Sequence, residues 1–227
     1  MSKLLPCSVV AAEVKGAADP QLLYPQEAEQ LGQAVEKRIE EFTAGRLCAR
    51  RALAQLGIDQ FPLCVADDRR PLWPDAVVGS ITHTRGFRAA VAAYRSDISA
   101  VGIDAELIEE LTPELWPQIA IEPEQNWLSQ LPLSEQPACA ALLFSAKEAF
   151  YKCQYELTRQ WLDFYDVSLD LSSLAFPKQS FDHPDFMPGT FELQILKKPF
   201  GPLSQNQFKG YFVFDGQRVI TAISLPA

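Results

Sequence analysis

Apolar positions recur at helical spacing through residues 27–56. Leu31, Val35, Ile39, Phe42, Leu53 and Leu56 fall on one stripe and Gly57 supplies a stop, which predicts a single long helix. Residues 61–75 lose that period and carry Pro, Asp and Arg, the composition of a loop with short extended pieces. Two strand-like runs follow, 87–94 (FRAAVAAY) and 98–106 (ISAVGIDAE), joined by Arg95-Ser96-Asp97. Segment 107–134 contains Pro113, Pro117, Pro123 and Pro132 and has room only for short helices between them. A second long helix is predicted from Ser134, a good N-cap, to about 157, with Pro137 tolerated in its first turn. Its apolar side holds Cys139, Leu142, Leu143, Ala146, Phe150 and Cys153. A loop over 172–190 carries Pro177, Pro184 and Pro188. The chain then closes in a hairpin, 208–214 and 218–224 around Asp215-Gly216.

Helix, loop and closing strand pair thus occur twice, with no repeat at the level of residues. The order predicts an α+β chain of two halves, 1–106 and 107–227. Each half would be a long helix on a small antiparallel sheet, with a ligand cleft between the halves.

Charge narrows the partners. The net charge of −9 argues against general nucleic-acid binding, which needs excess Lys and Arg. The basic residues are nonetheless concentrated: Lys37, Arg38, Arg46, Arg50, Arg51, Arg69, Arg70, Arg85 and Arg88 lie close together in sequence, which suits a local anion pocket. The five cysteines form no C-x-x-C pair, so neither a disulfide framework nor a zinc site is indicated, and a cytoplasmic protein is expected. The apolar start faintly mimics a signal peptide, but it is short, holds Pro6 and stops at Glu13, which argues against secretion. No apolar run reaches the ~18 residues of a membrane span.

Two clusters carry candidate chemistry. Asp104 and Glu106 are two apart on a predicted strand, so both side chains leave one face. Paired carboxylates favour a hard divalent cation, although a strand with an acidic exposed face reads the same way. Glu148 and Lys152, at i and i+4 on the second helix, suit either an ordinary surface ion pair or a site. The second cluster is Gly79-Ser-Ile-Thr-His-Thr-Arg-Gly-Phe87, where Thr82 and His83 offer phosphate donors in what reads as a tight turn, although a lone histidine there also reads as structural. Arg38 and Arg46 lie roughly 80° apart around the first helix and about 12 Å along it, within reach of one extended polyanion, although a solvated basic face reads the same way. His183, in the loop Phe-Asp-His-Pro-Asp, receives no role.

Together these residues give a resemblance. KRIEEFTAGRLCARRAL (37–53), DDRRPLWPDAVVGSITHT (67–84), VGIDAE (101–106) and FSAKEAFYK (144–152) resemble, in order and spacing, the Sfp-type 4′-phosphopantetheinyl transferases that serve siderophore, nonribosomal peptide and polyketide synthetases. The resemblance implies a pseudo-two-fold α+β monomer with its active site between the halves. It implies transfer of phosphopantetheine from coenzyme A to a serine of apo acyl or peptidyl carrier proteins, releasing adenosine 3′,5′-bisphosphate. Carried over by position, Asp104, Glu106 and Glu148 would hold Mg²⁺ (or Mn²⁺), with Lys152 on the diphosphate beside Lys147. Glu148 is then the candidate base, because metal ligation would keep it ionised and near the nucleophile. Arg38, Arg46, Thr82 and His83 would hold the nucleotide end, and Arg69, Arg70 and Pro71 would line the adenine side. Departures are Phe144 where Trp is frequent, Thr82 where Ser is frequent, and Arg69-Arg70-Pro71 where Gly-Lys-Pro is frequent. Arg50, Arg51, Arg85, Arg88, Phe150, Tyr151, Trp161, Phe164 and Tyr165 are candidates for carrier docking, or equally ordinary surface charge and core aromatics. Another coenzyme A-dependent acyltransferase, or a non-catalytic carrier-binding homologue, remains open at this point.

Overall fold

The computed structural model describes residues 1–14, 16, 18–176, 187–197, 203 and 206–227. His183, Pro177 and Pro184 lie outside the described residues. A three-stranded sheet contains β1 (Val10–Val14), β3 (Phe87–Tyr94) and β2 (Val77–Thr84), in that order and antiparallel. A five-stranded sheet is ordered β4 (Ile98–Leu107), β8 (Arg218–Pro226), β7 (Gln207–Phe214), β6 (Gly189–Ile195) and β5 (Val167–Leu169). One long helix covers each sheet, α2 (Glu36–Gln55) the first and α5 (Gln136–Thr158) the second, with the short α3 (Trp116–Ile119) and α4 (Glu122–Gln130) between them in the chain. The α+β class is as expected.

Alternation along the strands fixes the layers. Ala89, Val91 and Ala93 of β3 and Val101, Ile103 and Ala105 of β4 share one core with Val213, Ile220 and Ala222. Ala90 and Ala92 turn the other way, toward Ala49 and Leu53 of α2. On β4, Gly102, Asp104 and Glu106 have the opposite parity to that core, which is the side of α5. The two sheets therefore pack face to face with a helix outside each.

The predicted single helix over 27–56 is two helices. α1 (Pro25–Glu29) stops early, and Gly32 at φ +51 turns the chain before α2 begins. Val35 is 73% exposed, so it anchors nothing. β3 and β4 follow the expected bounds but are not a hairpin. β4 pairs with β8, with Asp104 opposite Thr221 and Glu106 opposite Val219. The closing pair β7–β8 is a hairpin, as expected. α5 begins at Gln136 with Pro137 in its first turn, and its six predicted apolar residues are all buried. The segment 79–87, read as a tight turn, is mostly strand β2. The apolar start is also strand: Val10–Val14 pairs with β3.

Candidate active site

β2 and β4 are the edges at which the two sheets meet, and side chains join them. Ser80 Oγ accepts from the backbone N–H of Ile103 at 3.1 Å, and Thr82 Oγ1 donates to Asp104 Oδ1 at 3.2 Å. Across the other face of β4 the helix comes unusually close. A Cβ on Gly102 would sit 1.9 Å from the carbonyl oxygen of Ala149 and 2.7 Å from the nitrogen of Cys153. Only glycine permits that approach, and it brings the α5 turn carrying Glu148 and Lys152 over Asp104 and Glu106.

Lys152 Nζ donates to Asp104 Oδ1 at 2.7 Å and to the Ile103 carbonyl at 3.2 Å. Asp104 is 3% exposed, and its second oxygen, Oδ2, is buried with no hydrogen-bond partner. A buried orphan carboxylate oxygen is costly and calls for a cation or proton. Burial raises the Glu106 carboxyl to about 8, with the Asp104 and Glu148 charges adding to the rise and Lys152 opposing it. Burial also raises Glu148, and Asp104 adds to that rise against the pull of Lys152. The three acids thus share one electrostatic neighbourhood, in which Lys152 is the cation acting on all three. Hard oxygen donors of this kind suit Mg²⁺ or Mn²⁺. As they stand, no three or more His, Cys, Asp or Glu among the described residues converge as a ready metal cluster.

Beside this point opens a cleft of about 890 Å³ between α2, β2 and α5. Arg38, Arg46, Arg69, Arg70, Pro71, His83 and Lys152 all line it. Arg46 lies over the Phe42 ring at 4.0 Å, and burial lowers its pKa to about 10, which leaves it charged at neutral pH. Its Nε is buried without a partner. Desolvation at the cleft wall lowers the His83 pKa, opposed by Glu41. The loop with Arg69 at φ +68 is tied to α5 by a hydrogen bond from Tyr155 Oη to Asp68 at 3.1 Å.

Two expected ligands sit elsewhere. Thr82 does not line the cleft, because its hydroxyl is spent on Asp104. Lys147 is corrected more firmly. It is 2% exposed, and its ammonium donates to Glu124 at 2.7 Å and to the carbonyls of Ile119 and Phe164 at 3.1 and 2.9 Å. Three partners satisfy three ammonium protons, so nothing remains for a ligand. Burial lowers its pKa, with Glu124 opposing. Glu124 also accepts from the N–H groups of Ile121 and Leu169, so the pair fastens three segments. Phe150, a candidate for docking, is fully buried core. Arg85 and Arg88 are paired with Glu109 and Glu40, whereas Trp161 and Tyr165 are exposed.

Trp73, Tyr151, Tyr155, Glu41 and Arg159 also line the cleft, beyond the residues that the sequence motifs point to there. Glu41 stands one helical turn from Arg38, a spacing from which it was legible.

Known proteins match along most of this length. A model of the 4′-phosphopantetheinyl transferase N-terminal domain matches residues 26–93, and one of the 4′-phosphopantetheinyl transferase superfamily matches 100–201. The chain is 37% identical over 212 residues to the 4′-phosphopantetheinyl transferase Svp of Streptomyces mobaraensis, covering 91% of this chain and 80% of that protein. The chain belongs to the 4′-phosphopantetheinyl transferase family. It is also 36% identical over 170 residues to the transferase Npt of Nocardia iowensis, covering 73% of this chain and 74% of that protein. Enterobactin synthase component D of Salmonella typhimurium is 34% identical over 146 residues, 63% of this chain and 60% of that protein. Membership decides for a transferase of this type over a coenzyme A acyltransferase or a non-catalytic homologue. All five cysteines are free, and among the described residues no helix is long and apolar enough to cross a membrane.

Proposed function

We propose that this transferase moves 4′-phosphopantetheine from coenzyme A to a serine of apo acyl or peptidyl carrier proteins, releasing adenosine 3′,5′-bisphosphate. Enterobactin-type siderophore assembly is the setting suggested by the relatives' names. The observation that carries the reading is the close approach of α5 at Gly102, which sets Glu148 and Lys152 beside Asp104 and Glu106 at the edge of a cationic cleft.

In this reading Arg38, Arg46 and His83 hold the nucleotide end with its 3′-phosphate, and Arg69, Arg70 and Pro71 flank the adenine. Lys152 pairs with the diphosphate. Asp104, Glu106 and Glu148 would hold Mg²⁺ or Mn²⁺; the orphaned oxygen of Asp104 and the mutual repulsion of the acids support this. When bound, the cation supplies positive charge against the diphosphate. The serine hydroxyl gives its proton to Glu148, directly or through one water. Its oxygen bonds to the β-phosphorus as the bond to the departing nucleotide phosphate breaks. The raised pKa of Glu148 suits it to accept that proton.

The chain acts as a monomer of two pseudo-two-fold halves, 1–106 and 107–227, with β4 lent to the second sheet. A matched pair of clamps supports the two-fold. Glu27 accepts from Tyr24 and Leu63 N–H groups and lies 3.8 Å from Arg50 of α2. Glu124 accepts from Ile121 and Leu169 N–H groups and pairs with Lys147 of α5. The glutamate precedes its cation by 23 residues in both. The protein works in the cytoplasm, without nucleic acid or membrane. Its net charge of −9 makes carrier docking depend on a local patch and not on overall attraction.

Incubation with coenzyme A, Mg²⁺ and apo carrier proteins of peptide, polyketide and fatty-acid type, followed by intact-mass measurement, tests the reading. Gain of one phosphopantetheine on a carrier supports it. No gain on any of them overturns it.

A further inference from the structure

We infer that Lys152 is the resting counter-ion of the metal site: its ammonium neutralises Asp104 until a divalent cation binds, and it is then released to the diphosphate. The inference rests on the metal assignment proposed above and deepens it. Four observations carry it. The Lys152 ammonium is already seated on Asp104 Oδ1 at 2.7 Å, while the other oxygen of the same carboxylate has no partner. Asp104 is 3% exposed, so a cation that reaches its unpartnered oxygen lies close to the ammonium on the other oxygen. The Lys152 side chain is 29% exposed and also lines the cleft, so it can turn from one anion to the other on its own flexible stem. Lys147, one and a half turns earlier, has three partners and no such freedom.

The energetic argument is one of competition. Two cations beside one carboxylate repel, so the arriving ion weakens the Lys152–Asp104 contact. The freed ammonium then faces the cleft in which the diphosphate would lie. Metal and coenzyme A consequently help each other bind through a single side chain.

Mn²⁺ titration of the full chain without coenzyme A, read by electron paramagnetic resonance, tests this on wild type, Lys152→Met and Lys152→Arg. Loss of the competing charge in Lys152→Met should tighten Mn²⁺ by about tenfold or more, since like charges a few ångströms apart are strongly coupled. Lys152→Arg keeps the charge and should bind like wild type. Equal or weaker Mn²⁺ binding by a folded Lys152→Met overturns the inference. A second measurement needs no variant: amine acylation of wild type, located by mass spectrometry. Adding Mn²⁺ should raise labelling at Lys152 and leave Lys147 unlabelled; an unchanged Lys152 overturns the inference. Wild type with coenzyme A and Mn²⁺ separates the two ideas. No bound Mn²⁺ there sinks the metal assignment itself. Bound Mn²⁺ there, with no gain in Lys152→Met, sinks the counter-ion role alone.

Discussion

Helix α5 carries two lysines five positions apart, and the surroundings give them opposite uses. Lys147 points toward the short helices of segment 107–134, and Glu124 with the carbonyls of Ile119 and Phe164 consumes every proton of its ammonium. Lys152 points to the sheet edge, where it meets a carboxylate with one oxygen still unclaimed. The difference teaches that a buried charge with a complete partner set is a fastener. A charge whose partner is left incomplete marks the place where something else is meant to bind.

Five substitutions press on this comparison. The largest effect is expected at the incomplete end. Asp104→Asn or Glu148→Gln should lower single-turnover transfer by about 10²- to 10⁴-fold while the melting temperature holds. Near-normal turnover in Glu148→Gln would remove it as base and ligand. Next comes the fastener. Lys147→Met leaves Glu124 charged and buried, so denaturant unfolding should show a loss of about 3–5 kcal/mol. Turnover per folded molecule should stay unchanged, and a turnover defect without a stability loss would return Lys147 to the site. Arg46→Ala removes a charged hydrogen-bonding group from the cleft. It should raise KM for coenzyme A by roughly tenfold to a hundredfold, the worth of about 1.5–3 kcal/mol, with kcat little affected. The smallest effect belongs to Tyr155→Phe, which loses one exposed hydrogen bond to Asp68. A rise in KM of about twofold to tenfold fits a net bond of ~0.5–1.5 kcal/mol.

The sequence made some of this legible and concealed the rest for physical reasons. α5 was readable because Cys139, Leu142, Leu143, Ala146, Phe150 and Cys153 keep helical period throughout and all become core. The strand bounds of β3 and the β7–β8 hairpin were readable from local alternation and the Asp215-Gly216 turn. The partner of β4 was not, because its ladder joins Ile98–Leu107 to the far end of the chain, and no local pattern encodes a pairing at that separation. β2 was masked by Gly79 and by hydroxyls that resemble turn residues, whereas Ser80 and Thr82 in fact join the sheet edges. The spacing of Asp104 and Glu106 foretold a shared face. Nothing in the motif 144–152 separates Lys147 from Lys152. The partner that claims Lys147, Glu124, sits among prolines, in short helices with no strong period.

The most direct test of the central claim is single-turnover phosphopantetheine transfer by two folded variants, followed by intact mass of the carrier. Lys147→Met/Glu124→Gln removes the fastener with no lone buried charge left behind, and it should transfer at the wild-type rate per folded molecule. Lys152→Met should be slower by about a hundredfold, the scale of one lost charge contact in a transition state. The reverse order, a slow double variant beside a fast Lys152→Met, would contradict the account.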